Sequence, residues 1–259
     1  MTTVDTPCER QSPPLALLEY HAFALSRLLL EEDVTAAVGF DASNWVILAA
    51  GLSKVSIITT GLDPQDSYCP NIYEEERGAN ASAVATELTR LLFLWGAAEL
   101  LMKKAPLPRR ERRESEVKRM IRMVDEKVLE LVHHRCSANN LFAALDHSDS
   151  SDLKNAARKA REFDAGVIGQ GTLAAYNVRN CLAHGSIPWP DDTESSLRQG
   201  LRVGRLASRV LLFAVQQLMI CSIPDTAETS DWPDDEDEIR VRPVKRVLVR
   251  SHLAEPPAS

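Results

Sequence analysis

Cysteine and aromatic residues are scarce in this chain, and each scarcity excludes a class of protein. The five cysteines lie far apart and form no Cys-x-x-Cys pair. This argues against a disulfide framework or a zinc site and favours a reduced, cytoplasmic protein. Aromatic residues make up only 5% of the chain, and leucine, alanine and valine supply most of its apolar content. Such a composition favours helices over a β-sandwich or β-barrel.

Long apolar runs are also missing. The longest, Leu91–Met102, spans about a dozen residues and contains Glu99, so it is too short to cross a bilayer. The first residues include Asp5 and Glu9 and lack the basic start and apolar stretch that mark a secretion signal. We therefore expect a protein that is not associated with a membrane.

Negative charge is concentrated in one segment. The formal net charge is −7, and residues 225–238 hold eight acidic side chains and no basic one. Without this segment the charge would be −7 + 8 = +1. The rest of the chain is therefore nearly neutral, and the acidic total does not argue against a polyanionic partner.

The apolar periodicity predicts an all-α protein in four parts. Residues 1–13 are predicted to be a disordered lead-in, and 14–80 an N-terminal helical extension with a loop over 61–80. Residues 81–224 are predicted to form a helical bundle, and 225–259 an acidic linker with an irregular basic tail. Within the tail, residues 239–250 alternate basic and branched apolar residues. Three alternatives are open for this segment: it pairs with a partner, it folds back on the acidic run, or it stays disordered.

Helix boundaries follow from the spacing of leucines and from capping residues. Asp41 or Ser43 would cap the apolar segment 45–58, whose type is ambiguous, and Asp152 would cap the helix over 153–163. Gly166, Gly169 and Gly171 predict a loop, and it is not a dinucleotide loop because no strand precedes it. Helices are expected over 14–29, 82–105, 109–134, 139–145, 153–163, 172–184 and 193–223.

One short motif at the end of the predicted helix 172–184 carries chemistry: Arg179-Asn180-Cys181-Leu182-Ala183-His184-Gly185. Five residues of a regular helix turn through about 140° beyond a full turn. Arg179 and His184 therefore share a face only if the helix ends or distorts at His184, and Gly185 suits such an ending. An arginine, a histidine and a glycine are also an ordinary helix C-terminus, so a purely structural role stays open.

The motif resembles the Rx4–6H signature of the HEPN superfamily, in its fuller form R-N-x-x-A-H-G. The segment Phe93–Leu100 is similar to a HEPN core helix, with an aromatic residue followed by an inward glutamate, Glu99. The resemblance covers roughly residues 82–223. It implies an antiparallel helical bundle and a metal-independent endoribonuclease that needs no cofactor. It also implies a homodimer that joins two motifs, a role as a toxin or phage-defence effector, and an antitoxin or regulatory protein as partner.

RNA cleavage without a metal explains why these residue types matter. The ribose 2′-hydroxyl attacks the adjacent phosphorus, and the resemblance implies a 2′,3′-cyclic phosphate product. His184 would move protons, Arg179 would stabilise the phosphoryl charge, and Asn180 would orient the histidine or the phosphate. Glu99 is predicted to be a buried supporting residue hydrogen-bonded to Arg179, rather than an acid catalyst.

The chain departs from the family pattern at one position, and one alternative function stays open. HEPN toxins that are silenced by AMP transfer carry a tyrosine two residues after the histidine, where this chain has Ser186. The resemblance thus gives no support to that regulation. The alternative to a nuclease is a non-catalytic HEPN module that binds RNA, a nucleotide or a protein.

A basic stretch over residues 103–122 contains nine basic and three acidic side chains. It is interpreted either as a surface that follows the RNA backbone or as a solvated helix with local ion pairs. The candidate RNA-binding residues are Arg109, Arg110, Arg113, Lys118 and Arg119.

His133, His134 and Cys136 are the nearest approach to a metal site. Adjacent histidines on a helix diverge, and the sequence offers no fourth ligand. A structural role is therefore expected, and no metal is predicted.

Overall fold

The computed structural model describes residues 15–56, 71–109, 114–126, 131, 133–184, 194–231 and 240–254. The described chain is mainly helical, with one two-stranded sheet, and this confirms the predicted all-α character. The elements are α1 (Leu18–Leu29), α2 (Glu32–Val38), α3 (Phe40–Gly51), α4 (Asn71–Lys104), α5 (Glu116–Glu126), α6 (His134–Asp146), α7 (Ser151–Arg161), α8 (Val167–Ala183), α9 (Glu194–Ser222), β1 (Glu228–Asp231), β2 (Arg240–Pro243) and α10 (Val244–Leu248).

Helix α9 is the centre of the hydrophobic core. Its residues from Val210 to Ile220 are all buried, and it packs against α4, α6 and α8 as well as α1. By length and composition the segment Leu197–Ser222 would suffice to span a bilayer. Most of that segment is buried by the surrounding helices, as in the central helix of a helical bundle.

Among the N-terminal helices, α2 and α3 pack against α4, whereas α1 packs against α3 and α9. Gly39 joins α2 to α3 with φ of 87°, a left-handed conformation that glycine adopts without a steric cost. The ambiguous segment 45–58 proves helical as far as Gly51. At that end of α3, Arg90 of α4 donates hydrogen bonds to the carbonyl oxygens of Ala49 and Leu52. These bonds satisfy carbonyl groups that a helix terminus leaves free and tie α3 to α4.

Two predictions of where helices begin and end are wrong. The loop expected over 61–80 is helical from Asn71, where α4 begins. Gly78 lies inside this helix and is buried, and its carbonyl accepts a hydrogen bond from the Ser82 hydroxyl. The single helix expected over 109–134 is interrupted. Its described part is α5, and His133 adopts φ of 77° before α6 begins at His134.

The glycines expected to form a loop lie at the start of α8, and Gly169 and Gly171 are inside it. A Cβ atom on Gly171 would lie 2.4 Å from that of Ala138, so this glycine allows α8 to touch α6 closely. The carboxylate of Asp125 on α5 accepts hydrogen bonds from the backbone N–H groups of Gly166 and Gly169, at 2.6 and 3.1 Å. This contact caps the N-terminus of α8 from a different helix.

Helices α7 and α9 match their predicted ranges closely. Helix α7 is Ser151–Arg161, and α9 is Glu194–Ser222. The capping residue of α7 is Ser150 rather than Asp152, because the Ser150 hydroxyl accepts a hydrogen bond from the N–H of Leu153 at 3.3 Å. Local patterns therefore sufficed to predict these two elements, although the cap lies two residues before the expected one.

The C-terminal tail folds back on the acidic segment, which was one of three alternatives. Strands β1 and β2 are antiparallel, with Glu228 opposite Pro243 and Asp231 opposite Arg240. Val244 and Leu248 of α10 are buried in the common core, and the backbone N–H of Ala16 donates to the carbonyl of His252. The prediction of an irregular tail is therefore wrong over 240–248, because apolar side chains there are buried against the helices.

Three buried histidines surround Phe213 of α9: His21 from α1, His134 from α6 and His252 from the tail. The Nε2 atom of His21 lies 3.0 Å from Oε1 of Gln216, and Gln216 donates from Nε2 to the carbonyl of Leu248. Burial lowers the pKa of His134 to about 3 and holds the pKa of His21 well below its usual value. His21 and His134 are therefore neutral parts of the core at pH 7.

Candidate active site

The motif occupies the last turn of α8. The helix ends at Ala183, and His184 is its C-cap residue, so the prediction that the helix ends at His184 is confirmed. The backbone N–H of His184 still donates to the carbonyl of Asn180 at 3.0 Å. The helical path therefore continues up to His184, and the Cα–Cβ directions of Arg179 and His184 remain about 140° apart.

Arg179 is half-buried and held on one side by an aromatic ring. The centre of its guanidinium lies 5.7 Å from the centre of the Trp95 ring of α4, within the range of a cation–π contact. Its Nη1 donates to Oδ1 of Asn180 at 3.2 Å, and its Nε is buried without a hydrogen-bond acceptor. Among the described residues no carboxylate forms an ion pair with it.

Asn180 lies beside the arginine and one helical turn before the histidine. Because its Oδ1 accepts from Arg179, its Nδ2 group is the donor that remains for another ligand. Asn180 and His184 are four residues apart, so they are neighbours along the helix. The His184 side chain is exposed. Arg179 and Asn180 are therefore hydrogen-bonded to each other in the last turn of α8, and His184 follows at its end.

The predicted burial of Glu99 and its pairing with Arg179 are wrong. Glu99 is exposed, and its carboxylate accepts a hydrogen bond from the indole N–H of Trp95 at 2.5 Å. The two residues are one turn apart on α4, which brings them together on one face of the helix. Trp95 therefore lies between the two charged groups, with its N–H on Glu99 and its ring beside Arg179.

Two aromatic residues belong to this site although the motif does not include them. Trp95 is buried, as expected for a core residue, and its ring centre lies 4.8 Å from that of Tyr176 on α8. Tyr176 precedes Arg179 by three residues, so both side chains meet the indole from the same helix. The three-residue spacing could have identified Tyr176 as a neighbour of Arg179 from the sequence. The contact of Trp95 with both residues depends on the packing of α4 against α8.

The other side of the motif faces α7. The Nδ2 of Asn177 donates to the carbonyl of Ala156 at 3.2 Å, and the thiol of Cys181 lies 3.9 Å from the carbonyl of Asp152. Burial, with the nearby Asp152 carboxylate, raises the pKa of the Cys181 thiol. Cys181 is therefore a protonated packing residue, and it supplies no thiolate to the site.

Two of the basic residues expected to bind RNA, Lys118 and Arg119, make side-chain contacts outside the motif. Lys118 lies beside Phe163, and Asp125 of the same helix α5 caps the start of α8. The motif is at the other end of α8, about 25 Å along the axis. Arg119 donates to the carbonyls of Leu107 and Pro108, which is a structural role. Arg109 is exposed, whereas Arg110 and Arg113 lie outside the described residues.

No group of three or more histidine, cysteine, aspartate or glutamate side chains in the described part of the chain is arranged to hold a metal ion. His133 and His134 lie on the two sides of the start of α6, and His134 stacks on Phe213 with ring centres 4.9 Å apart. His134 is therefore a core residue.

Comparison of the chain with known protein families, curated proteins and solved structures returns no match. The site is therefore characterised by the chemistry of its residues and by the resemblance of its motif to the HEPN signature. The group formed by Arg179, Asn180 and His184 combines a cation, a neutral hydrogen-bond donor and an exposed imidazole. Such a set suits a phosphodiester substrate.

Proposed function

We propose that this protein is an endoribonuclease that cleaves RNA without a metal ion, through Arg179, Asn180 and His184. The observation that carries the proposal is that all three residues lie together in the last turn of α8 and at its end. Asn180 is hydrogen-bonded to Arg179 and lies one turn before the exposed His184. An arginine without a local carboxylate partner among the described residues, next to an exposed imidazole, suits recognition of a phosphate and transfer of a proton.

The reaction assigned to this group is an attack of the ribose 2′-oxygen on the adjacent phosphorus. The bond to the 5′-oxygen breaks, and the products are a 2′,3′-cyclic phosphate and a 5′-hydroxyl end. The 2′-hydroxyl loses its proton and the 5′-oxygen gains one, and an imidazole titrates in the range that serves these steps. Arg179 stabilises the charge on the phosphoryl oxygens, and Nδ2 of Asn180 donates to one of them.

The geometry of α8 supports a site shared between two protomers. Because the side chains of Arg179 and His184 leave the helix about 140° apart, one chain does not converge both on a single phosphate by helix geometry alone. We therefore assign the site to a homodimer, in which Arg179 of one protomer acts with the histidine of its partner. A two-fold axis near the end of α8 would form two such sites.

The proposal is tested with end-labelled RNA in the presence of a chelator. Wild-type protein is expected to cleave RNA and to leave 2′,3′-cyclic phosphate ends, which mass spectrometry identifies. The double variant Arg179→Ala/His184→Ala is expected to lose at least about 100-fold in rate, the scale of losing a general acid–base group together with a charge-stabilising arginine. Full cleavage by this variant would remove the assignment of the site.

The chain offers a matched control for that variant. His147 is the exposed C-cap residue of α6, as His184 is of α8, and Arg202 is an exposed arginine of α9. The variant Arg202→Ala/His147→Ala therefore removes the same two residue types from surface positions. It is expected to cleave RNA at the wild-type rate. A loss in this control equal to that in the motif variant would mean that the motif has no special role.

A mixing experiment tests whether the site is shared. Arg179→Ala and His184→Ala proteins are each inactive, but a mixed dimer contains one site with both groups intact if the groups come from different protomers. Equal mixing after mild unfolding and refolding is then expected to restore about a quarter of the wild-type activity, by random pairing of protomers. No recovery in mixtures that do contain mixed dimers would assign both groups to one chain.

A second function is favoured by the position of Arg179. Its guanidinium is half-buried beside Trp95 and its Nε is shielded from solvent, so it is held in a fixed place. A fixed cation suits a module that binds RNA or a nucleotide without cleaving it. Wild-type protein that binds labelled RNA in an Arg179-dependent manner, with no cleavage, would select this function.

A further inference from the structure

Helix α1 exposes an apolar stripe along its whole length. Its inner face, with His21, Leu25 and Leu29 among others, is buried in the core. On the opposite face Leu17 is 63% exposed, Tyr20 67%, Phe23 56% and Leu30 50%. Soluble monomers rarely expose contiguous apolar patches of more than a few hundred Å². This face of α1 therefore has the character of an interaction surface.

The order of residues along the stripe is compatible with a second copy of itself. The stripe runs through Leu17, Tyr20, the pair Phe23 and Ala24, Arg27 and Leu30, with spacings of three, three, one, three and three residues. These spacings read the same in both directions. Two such helices in antiparallel register therefore superimpose stripe on stripe, about a point between residues 23 and 24.

We propose that two copies of this chain associate through the outer faces of their α1 helices, antiparallel and related by a two-fold axis between Phe23 and Ala24. In this register Leu17 meets Leu30 of the partner subunit, so the leucines at the two ends bury each other. Tyr20 meets Arg27 of the partner subunit, which places a cation on an aromatic ring. Such a contact is isologous and closed, as two-fold interfaces are.

The charge of Arg27 supports this pairing. Arg27 is exposed, and within the described residues it makes no ion pair or hydrogen bond through its side chain. An unneutralised arginine inside an apolar stripe is unfavourable at an interface unless an aromatic face or an acceptor meets it. The self-complementary register supplies the Tyr20 ring at that position.

The stripe supplies a large part of the area that a stable dimer needs. Its four exposed apolar side chains, Leu17, Tyr20, Phe23 and Leu30, expose on the order of 500 Å², compared with roughly 800 Å² per partner in a standard interface. Helix α3 packs against α1 and carries further exposed apolar side chains.

A lipid surface fits this face less well. Amphipathic helices that lie on membranes flank their apolar face with lysine and arginine. Here Arg27 is the one basic residue of α1 apart from its buried histidine, and Glu31, Glu32 and Asp33 follow at its C-terminal end. The acidic flank would repel anionic headgroups.

The α1 contact is separate from the contact proposed for RNA cleavage. Helix α4 lies between the two regions, because its Gly96 meets Trp45 of α3 whereas its Trp95 meets α8. The self-association of α1 therefore does not depend on the proposed nuclease activity. A closed assembly that uses both contacts would be a tetramer, and loss of the α1 contact would leave dimers of half that mass.

The test measures the mass of the full chain in solution by light scattering or sedimentation. The variant Tyr20→Glu/Phe23→Glu is expected to halve the mass of the wild-type assembly, because it places four carboxylates around the axis. The matched control Lys154→Gln/Lys159→Gln makes the same change of net charge at exposed positions of α7. It is expected to retain the wild-type mass, and circular dichroism checks that both variants are folded.

A cysteine near the axis tests the register without disturbing the stripe. Ala24→Cys is expected to form an intermolecular disulfide under mild oxidation, whereas Asn155→Cys on α7 is expected to form none above the wild-type background. The proposal is overturned by a monomeric wild type, by an assembly whose mass the α1 variant does not change, or by the absence of a crosslink in the Ala24→Cys protein. Binding of a monomeric wild type to phosphatidylcholine vesicles would instead identify a membrane surface.

Discussion

Trp95 donates its indole N–H to the carboxylate of Glu99 at 2.5 Å. The same ring lies beside the guanidinium of Arg179 on the neighbouring helix α8. The indole therefore lies between the Glu99 carboxylate and the Arg179 guanidinium, where the two would otherwise form a direct ion pair. Glu99 therefore contacts the indole rather than the arginine, and among the described residues no carboxylate pairs with Arg179.

This arrangement predicts a small effect of Glu99→Gln. The amide oxygen of glutamine can still accept from the Trp95 N–H, and Glu99 is exposed, so RNA cleavage should change by less than about 3-fold. A general acid would instead contribute about 100- to 10,000-fold. The rate is measured with the labelled RNA of the proposed assay. A loss of 100-fold or more would assign Glu99 a catalytic role.

The buried histidines predict that the fold loses stability in mild acid. Burial holds the pKa of His134 at about 3, below its usual value of 6.5. The unfolded chain therefore binds the proton first, and the free energy of unfolding falls as the pH drops below about 6.5 towards 3. His134 alone should account for roughly 2 kcal/mol between pH 7 and pH 5. Urea unfolding at several pH values measures the slope.

His134→Leu separates this effect from general acid unfolding. Leucine has a similar volume and does not titrate, so the variant should lose less stability between pH 7 and pH 5 than the wild type. His21 keeps a similar dependence, because burial and the nearby charge of Arg209 both lower its pKa. His147→Leu is the control, since His147 is exposed on the surface of α6. Equal slopes in all three proteins would contradict the role of the buried histidines.

Gly171→Ala is expected to weaken the contact between α6 and α8. The new Cβ atom would come within 2.4 Å of that of Ala138, so the helices must separate, at a cost of about 1 to 3 kcal/mol. Gly51→Ala is the control, because no neighbouring atom lies within 4 Å of its Cβ position. That variant should keep or slightly raise the stability. Thermal unfolding compares the two, and equal melting temperatures would mean that the close approach is not limiting.

The buried carboxylate of Glu87 is expected to be more important for stability than an exposed one. It accepts from Arg90 at 2.8 Å and from Arg205 at 2.9 Å. Glu87→Gln leaves Glu19, at 3.3 Å, as the carboxylate that pairs with the buried Arg90 among the described residues, and should cost about 3 kcal/mol. Glu162→Gln breaks an exposed pair with Arg158 and should cost under about 1 kcal/mol. Denaturant unfolding measures both, and similar losses would contradict the importance of burial.

Local sequence patterns were reliable where the determining interactions are also local. The range of α9 was predicted from its apolar period, and the end of α8 at His184 from the following glycine. The glycines of α8 misled because their use depends on Ala138 and Asp125, which lie on other helices. His133 could not be predicted to break a helix, since its left-handed conformation has no sequence signature of the kind that glycine provides.

The candidate site shows the same division. Arg179, Asn180 and His184 were found together because they are close along the chain, and a helix end keeps them close in space. The burial of Glu99 and its pairing with Arg179 were predicted wrongly, because the orientation of α4 against α8 decides which side chain reaches the arginine. That orientation places the indole of Trp95 there.

The amino-acid sequence by itself determined the helical class, the range of the apolar helix α9 and the motif at the end of α8, because periodicity and capping act over a few residues. Only the tertiary structure decided that the tail joins the core, that three histidines meet around Phe213 and that α1 exposes an apolar face. These features depend on contacts between residues far apart in the chain, which no local pattern encodes.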